Sequence, residues 1–501
     1  MLNLSLKLRA AVFVIVAAVI LAACSSSTSV SSSKVGSKAN GGLVSATTSG
    51  ICKSPTAPVT NVQTGSVTGF IGHKGRWLTD SNGRVLLIHG INYVNKIAPF
   101  TPCGASFGQG DVKWIAQQGF KVVRLGVLFT GLFPKPGGVD NTYINDIAST
   151  VNLLAEYHIY TLLDYHQDGY GPSLGYPGAN DGFPAWLTVT DGAKNTKTGF
   201  PLYYITNPAI QAAFQNLWDN AKVSTGQRIQ SVLEQGYLAV AKKFANDPWV
   251  LGYEILNEPW PGAGNGWQDC LNNSVSGCQN LDSSELDKFY ASVTKTIRSV
   301  DTRHLIFGEP FVLFNFGESP AGISVPGNDP NAGMAFHMYT LTPSKEPSVI
   351  NYVDQWALSH NGAVLNTEWD STAGTPPIIR QSTELNNALI PWIYWAYNAN
   401  HNSPEMQDLN QPYPLAISGV PMSYNYDFNT NTMTLSWTSS SGVTNPITSI
   451  ETPLSAYPNG YSVQVTGAKV ISTSCGRVLN LEMLKGVKTA SITITPGGNC
   501  K

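Results

Sequence analysis

Residues 251–260 read LGYEILNEPW, and the fold is decided by how this stretch is taken. Val250, Leu251, Ile255 and Leu256 form a short apolar run, closed off by Asp247-Pro248 before it and by Pro259 and Pro261-Gly262 after it. A short apolar run between turn-forming residues reads as a buried strand. That strand brings Glu258 to its C-terminal tip, where parallel α/β folds collect their chemistry. Asn257 offers an amide to a hydroxyl, and Pro259 ends the strand without needing a backbone donor. Taken singly, Asn-Glu-Pro is equally well read as a solvated loop acid after an ordinary strand. The balance moves only when a second carboxylate is found at a similar strand end.

Working outward, strands are predicted at Val85–Ile88, Lys121–Leu125, Tyr160–Leu163, Val250–Leu256, Leu305–Phe307, Met334–Phe336, Ala363–Asn366 and Ile393–Ala396. Apolar residues three or four apart predict helices at Val112–Gln118, Tyr143–Tyr157, Ile229–Phe244, Glu285–Val300, Ser348–Leu358 and Leu385–Leu389. Asp282-Ser283-Ser284-Glu285 reads as a helix start with a capping oxygen. The crossover between Leu305 and Met334 is only weakly helical in pattern. Eight strands in alternation with helices fit a (β/α)8 barrel. An open doubly wound sheet calls for a Gly-rich phosphate loop after its first strand, and His89-Gly90-Ile91-Asn92-Tyr93 is not one. Beyond Trp395 the texture changes to polar loop. From about residue 412, short alternating runs such as MTLSWT, YSVQVT and ASITIT are separated by Gly-containing turns, predicting a small antiparallel β-sandwich.

In such a barrel the strand ends converge on one mouth. Here they carry Arg124 on the second strand, Asp164, His166 and Gln167 on the third, and Asn257 and Glu258 on the fourth. His337 and Tyr339 follow on the sixth, Glu368 on the seventh and Trp395 on the eighth. Each has a dull explanation alone, since Arg124 can pair with a structural acid and a lone His is more often a satisfied core residue. Their appearance at six of eight strand ends is the stronger signal. Strand-end His, Asp and Glu also suit a metal, with His89, His166 and His337 as ligands. The absence of His-x-His after the first strand and the repulsion from Arg124 argue against it, so no metal or other cofactor is expected.

Composition narrows the partners. The 501 residues carry a formal charge of −2, with 12% charged and 10% aromatic residues, including 12 Trp and 21 Tyr. There is no basic block outside the first residues, which argues against nucleic acid. A surface poor in charge and rich in Trp, Tyr and Asn suits a neutral hydroxylated ligand such as a sugar. Lys7 and Arg9 precede an apolar run, Ala10 to Ala23, that ends on Cys24 and serines. The run is short for a transmembrane helix and right for a secretory signal. Small residues closing on a Cys resemble the bacterial lipoprotein signal, so residues 1–24 are expected to be removed or lipidated at Cys24, with plain secretion as the alternative. Residues 25–55, rich in Ser and Gly, read as a tether. Export implies an oxidising compartment. Cys52, Cys103, Cys270, Cys278, Cys475 and Cys500 are then read as staples, paired by proximity as 52 with 103, 270 with 278 and 475 with 500, although spacing leaves connectivity open. The expected organisation is signal, tether, barrel over 56–411 and sandwich over 412–501, as a monomer.

With these residues in place the chain resembles the retaining glycoside hydrolases of the cellulase-type family 5. Arg124, His166, Asn257-Glu258-Pro259, His337-Met338-Tyr339, Glu368 and Trp395 match that family in order and strand by strand over roughly residues 70 to 400. Local stretches look like endoglycoceramidases and related glycosylceramide hydrolases: RLGVLFTGLFPKPG at 124–137, DYHQDGYG at 164–171 and LGYEILNEPWPG at 251–262. Those enzymes also end in a β-sandwich. The resemblance implies Glu258 as acid/base and Glu368 as nucleophile, with carboxyls about 5 Å apart as retention requires. Arg124 and Tyr339 would keep Glu368 ionised, and Trp260 would give Glu258 an apolar neighbour. Asn257 would bind the sugar 2-hydroxyl, Trp395 would floor the subsite, and His166, Gln167 and Asp168 would take further hydroxyls. A ceramide would require an apolar groove, expected from Leu128, Phe129, Leu132, Phe133, Trp186, Trp260, Phe311, Phe314 and Phe316. The substrate implied is a membrane glycolipid. The alternatives are a β-glucan or mannan cut by the same residues, and a non-catalytic sugar-binding lipoprotein.

Overall fold

The structure, a computed structural model, describes residues 66–498 apart from 68, 175–180, 200–201, 264–278, 318–319, 341 and 370–374. The expected signal and tether, with Cys24, Cys52, Cys270, Cys278 and Cys500, lie outside the described residues. Of the cysteines within them, Cys103 is buried and Cys475 half-buried.

Three short antiparallel strands come first: Gly72–Lys74 (β1), Trp77–Thr79 (β2) and Val85–Leu86 (β3). Eight parallel strands follow. They are His89–Tyr93 (β4), Val122–Leu128 (β5), Tyr160–His166 (β6), Val250–Glu254 (β7), Leu305–Gly308 (β8), Ala332–Met338 (β9), Ala363–Trp369 (β10) and Trp392–Tyr394 (β11). They close into a barrel, β11 pairing with β4. The fold class read from the sequence is therefore the observed one, but its first strand is displaced. Val85–Leu86 pairs antiparallel with a strand beyond the barrel, and the barrel begins at His89. Apolar residues run on from Val85 into β4, so periodicity alone does not mark where one sheet hands over to the next. His89 consequently sits at the floor of the barrel and not at its mouth. Its ring is stacked between Trp392 and Tyr413, 3.9 Å from each, and burial lowers its pKa.

The helix Ile229–Phe244 lies where it was predicted. Pro208–Trp218 was not predicted, although its start was legible: Asn207 accepts the Ala209 N–H at 3.0 Å and Pro208 occupies the first turn. Asp282 is not a helix cap. Its buried carboxylate accepts N–H groups from Phe311 (3.1 Å) and Gly322 (2.8 Å), clamping the crossover after β8. Among the described residues that crossover has only 3-10 turns, Val312–Phe316 and Pro326–Asn328, so it needs such a clamp.

Beyond the barrel lie Tyr413–Ile417 (β12), Gly419–Asp427 (β13), Thr432–Ser439 (β14), Ile447–Glu451 (β15), Tyr461–Thr466 (β16), Ala468–Val470 (β17), Val478–Met483 (β18) and Thr489–Pro496 (β19). One sheet runs β13-β14-β19-β16. The other runs β1-β2-β3-β12-β15-β18-β17, so residues 72–86, expected in the barrel unit, complete the sandwich. Inward residues of the barrel floor, including Val122, Leu162, Leu251 and Phe307, share a hydrophobic core with Leu415, Ile450 and Trp437 of the sandwich. Tyr413 donates to the Gly119 carbonyl (2.7 Å) and Lys121 pairs with Glu451 (2.8 Å), both at the start of β5. The sandwich thus seals the N-terminal end of the barrel, opposite the mouth, as a packing module.

Candidate active site

Arg124 is the third residue of β5, not a strand-end residue, and its side chain is fully buried inside the barrel. Its guanidinium forks onto Glu254, Nε to Oε2 (2.8 Å) and Nη2 to Oε1 (2.9 Å). It also donates to Asn92 Oδ1 (3.0 Å), Asn257 Oδ1 (2.8 Å) and Glu368 Oε1, and lies 3.0 Å from Asp164 and 3.6 Å from Glu309. One delocalised cation thereby holds four carboxyls that burial would otherwise forbid together. Asp164, Glu254 and Glu368 keep Arg124 charged against the cost of burial.

Glu368 is the penultimate residue of β10. Tyr339 donates to its Oε2 at 2.9 Å and Arg124 to its Oε1. Burial raises the Glu368 pKa, opposed by His337 and Arg124, so the expectation that Arg124 and Tyr339 keep it ionised needs the desolvation and His337 added. Glu258 lies beyond β7, which ends at Glu254; Ile255 and Asn257 extend it by single bonds to the carbonyls of Phe307 and Tyr165, 3.0 Å each. Glu258 itself has φ 43°, a left-handed conformation uncommon for an L residue. Gln167 braces this turn, its amide donating to the carbonyls of Asn257 (2.8 Å) and Glu258 (3.0 Å) while its oxygen accepts the Tyr170 N–H. Gln167, expected to take a sugar hydroxyl, is therefore occupied by the main chain. Glu258 Oε1 meets Asn315 Nδ2 at 3.1 Å and His337 Nδ1 at 2.8 Å. Oxygens of Glu258 and Glu368 and a nitrogen of His337 all lie within 4.8 Å of one another.

Asn257 spends its oxygen on Arg124 and one N–H on the Gln167 carbonyl (3.1 Å), which leaves its second N–H for a ligand. His166 Nδ1 faces Asp164 (2.8 Å), and its ring stacks parallel to half-buried Trp395 at 5.4 Å. Burial lowers the His166 pKa, but Asp164, against Lys96, brings it up to about 9. Lys96, which sequence reading missed, pairs with Asp168 and lies 3.5 Å from Asp181 and 4.9 Å from the Trp395 ring centre. Asp168 thus belongs to a charged cluster beside the tryptophan. Glu254, Glu309 and Asn315 were missed as well. Glu254 stands inside the quoted stretch, and Glu309-Pro310 repeats the pattern of Glu258-Pro259 after the next strand, which was the signal available.

The expected apolar groove is corrected. Phe129, Leu132, Phe133, Trp260, Phe311 and Phe314 are buried in the main core, half-buried Trp186 and Phe316 pack against it, and Leu128 is buried too, so the loops pack on one another. Trp260 stacks on Tyr204 at 5.4 Å and receives the Trp218 indole N–H on its carbonyl, so it supports the mouth from beneath. Loop aromatics can face inward or outward at the same spacing, and burial of their area decides which.

A closed (β/α)8 barrel with two buried glutamates facing each other at its mouth, beside an aromatic and amide-rich cleft, is the architecture of a glycosyl hydrolase. The chain belongs to glycosyl hydrolase family 5: the family's cellulase profile matches residues 108–401 and that of the family 5 C-terminal domain matches residues 411–495. It is 29% identical over 458 residues to endoglycoceramidase I of Rhodococcus hoagii, covering 85% of this chain and 87% of that protein. It is 28% identical over 443 residues to an endoglycoceramidase of Hydra vulgaris, covering 77% and 81%. The fold is similar to that of endo-glycoceramidase II from Rhodococcus sp., solved as a ganglioside GM3 complex, with TM-score 0.72 and 24% identity over 84% of this chain and 99% of that one.

Proposed function

We propose that this glycosyl hydrolase cleaves the β-linkage between glycan and ceramide in glycosphingolipids by double displacement. The observation that carries the retaining mechanism is the approach of Glu258 and Glu368 to within 4.8 Å, too close for a water to be activated between them as inversion needs. The glycolipid is supported by the endoglycoceramidases to which the chain is similar. Glu258 gives its proton to the glycosidic oxygen as that bond breaks, and Glu368 attacks the anomeric carbon to form an ester. Glu258, now a carboxylate, takes a proton from water, whose oxygen displaces Glu368, so two inversions restore the starting anomer. Tyr339 and Arg124 orient Glu368, the free N–H of Asn257 meets the 2-hydroxyl, and Trp395 floors the sugar.

The expected result is sugar release, with retention at the anomeric carbon, from glucosylceramide or lactosylceramide in a panel that also holds galactosylceramide, cello-oligosaccharides and mannan. Cleavage of the polysaccharides alone would overturn the glycolipid reading while leaving the family intact. In the same reading Cys24 is lipidated after removal of residues 1–23 and holds the enzyme, as a monomer, at the membrane that carries its substrate; the lipoprotein-like close of the apolar run supports this. Cys24→Ser should then move the protein from the membrane fraction to the soluble one, and an unchanged distribution would count against the anchor.

A further inference from the structure

The turn Val312–Phe316 that follows β8 brings one further side chain to the acid/base. Asn315 is fully buried and has no part in the mechanism above. Its Nδ2 donates to Glu258 Oε1 at 3.1 Å, its Oδ1 accepts the His337 N–H at 3.3 Å, and its carbonyl accepts the Tyr339 N–H at 2.9 Å. A backbone N–H can only donate, so the amide oxygen must face His337 and the amide nitrogen must face the carboxyl. The turn itself is tied down. Val312 N–H reaches the carbonyl of Pro259, next to Glu258, at 3.0 Å, and the Asp282 carboxylate takes the N–H groups of Phe311 and Gly322.

Glu258 Oε1 also meets His337 Nδ1 at 2.8 Å. Burial lowers the His337 pKa, but Glu368, with Glu254 and Glu258, brings it up to about 9. Below that pH both ring nitrogens carry protons, so Nδ1 donates to the carboxyl. Oε1 therefore receives two N–H groups, one from Asn315 and one from His337, and both of its lone pairs are taken. The titratable groups facing Glu258 are His337 on β9, Glu368 on β10, Glu309 after β8 and Tyr204 on the helix Tyr203–Thr206.

A carboxyl proton settles on the oxygen that has a lone pair to spare, which leaves Oε2. Resting on the assignment of Glu258 above, we infer that Asn315 is a positioning residue: its amide, fixed in one orientation by the His337 main chain, joins the His337 ring on Oε1 and so assigns the transferable proton of Glu258 to Oε2. The oxygen that protonates the leaving group is then the one that later takes a proton from water, and the carboxyl need not turn between the two steps.

Asn315→Asp keeps the shape of the side chain and an oxygen toward the His337 N–H but replaces the donor with a second acceptor. Asn315→Leu keeps the bulk with neither. In the Asp variant the two carboxyls share a proton at Oε1, so kcat on glycolipid is expected to fall about a hundredfold; in the Leu variant the proton can sit on either oxygen, and the fall is about tenfold. Both variants lose an N–H that favours the carboxylate, so the alkaline limb of kcat/KM should move up by about one pH unit. With a dinitrophenyl glycoside, whose leaving group needs no proton, the rate of forming the glycosyl-enzyme should stay within about twofold of the parent in both. A packing role predicts a different pattern: the Asp variant equal to the parent, the Leu variant slowed alike on both substrates, and no displacement of the limb. Any one of these overturns the inference. Glu258→Gln run beside them must show the leaving-group split. If it does not, the assignment of Glu258 has failed; if it does and the Asn315 variants show none, only the role of Asn315 has failed. Should neither variant fold, neutron diffraction from crystals of the unaltered enzyme, held at a pH below the alkaline limb, decides. A deuteron on Oε2 of Glu258 is expected, and any other placement overturns the inference.

Discussion

Glu368→Gln should remove nearly all turnover, with a loss in kcat on the order of 10^4 to 10^6, the range seen when a nucleophile is deleted from a preorganised site. The amide oxygen can still accept from Tyr339 and Arg124, so the fold should survive and glycan should still bind. The chemistry of the site is then read by Glu368→Gly with added azide. A small anion entering the vacated space attacks the same face as the lost carboxylate but is not displaced again, so the product is the inverted glycosyl azide. Residual activity within tenfold of the parent, or an azide product of unchanged anomeric configuration, would show that another group attacks the sugar.

Arg124→Met should have the largest effect on stability. It leaves Asp164, Glu254, Glu309 and Glu368 around a space with no cation, and breaking one side of a buried ion network typically costs about 3–5 kcal/mol because the remaining charges stay desolvated. Some of that cost is avoided by protonating the acids, which becomes easier as pH falls, so the destabilisation should shrink toward acid pH in thermal melts. Arg124→Lys restores a charge but not the fork that reaches Glu254 and Glu368 together, so it should fold better than the Met variant and still be inactive. A Met variant that melts with the parent at neutral pH would mean that these carboxyls are already neutral in the native protein.

The barrel and its mouth were legible because each strand end carries a polar residue after an apolar run, and a polar residue in that position has few structural uses. Glu258, His337 and Glu368 were found this way. Arg124 was found for the wrong reason: it lies mid-strand, and it reaches the mouth because its side chain is long and the interior below is already filled. Glu254 and Glu309 were passed over because a carboxyl in a buried run has meaning only once its partners are known, and those partners come from other strands. The aromatic loops were misread for a related reason, since composition reports how much apolar surface is available but not which way it turns. The misplaced first strand has a topological cause. Val85–Leu86 and β4 are nearly adjacent in sequence, yet one pairs with residues 416–417 and the other with Trp392–Tyr394, and no local pattern encodes so distant a partner.

That distant pairing also bears on biosynthesis. β3 leaves the ribosome long before β12, and at roughly 5–20 residues per second the interval is on the order of tens of seconds. Throughout it the nascent barrel has an unplugged underside, with Leu86, Val122 and Phe307 open to water or to whatever chaperone meets them. The sandwich therefore acts as a stopper as much as an appendage, and premature termination before residue 413 would release a polypeptide whose hydrolytic half is spelled out in full yet has no floor to stand on.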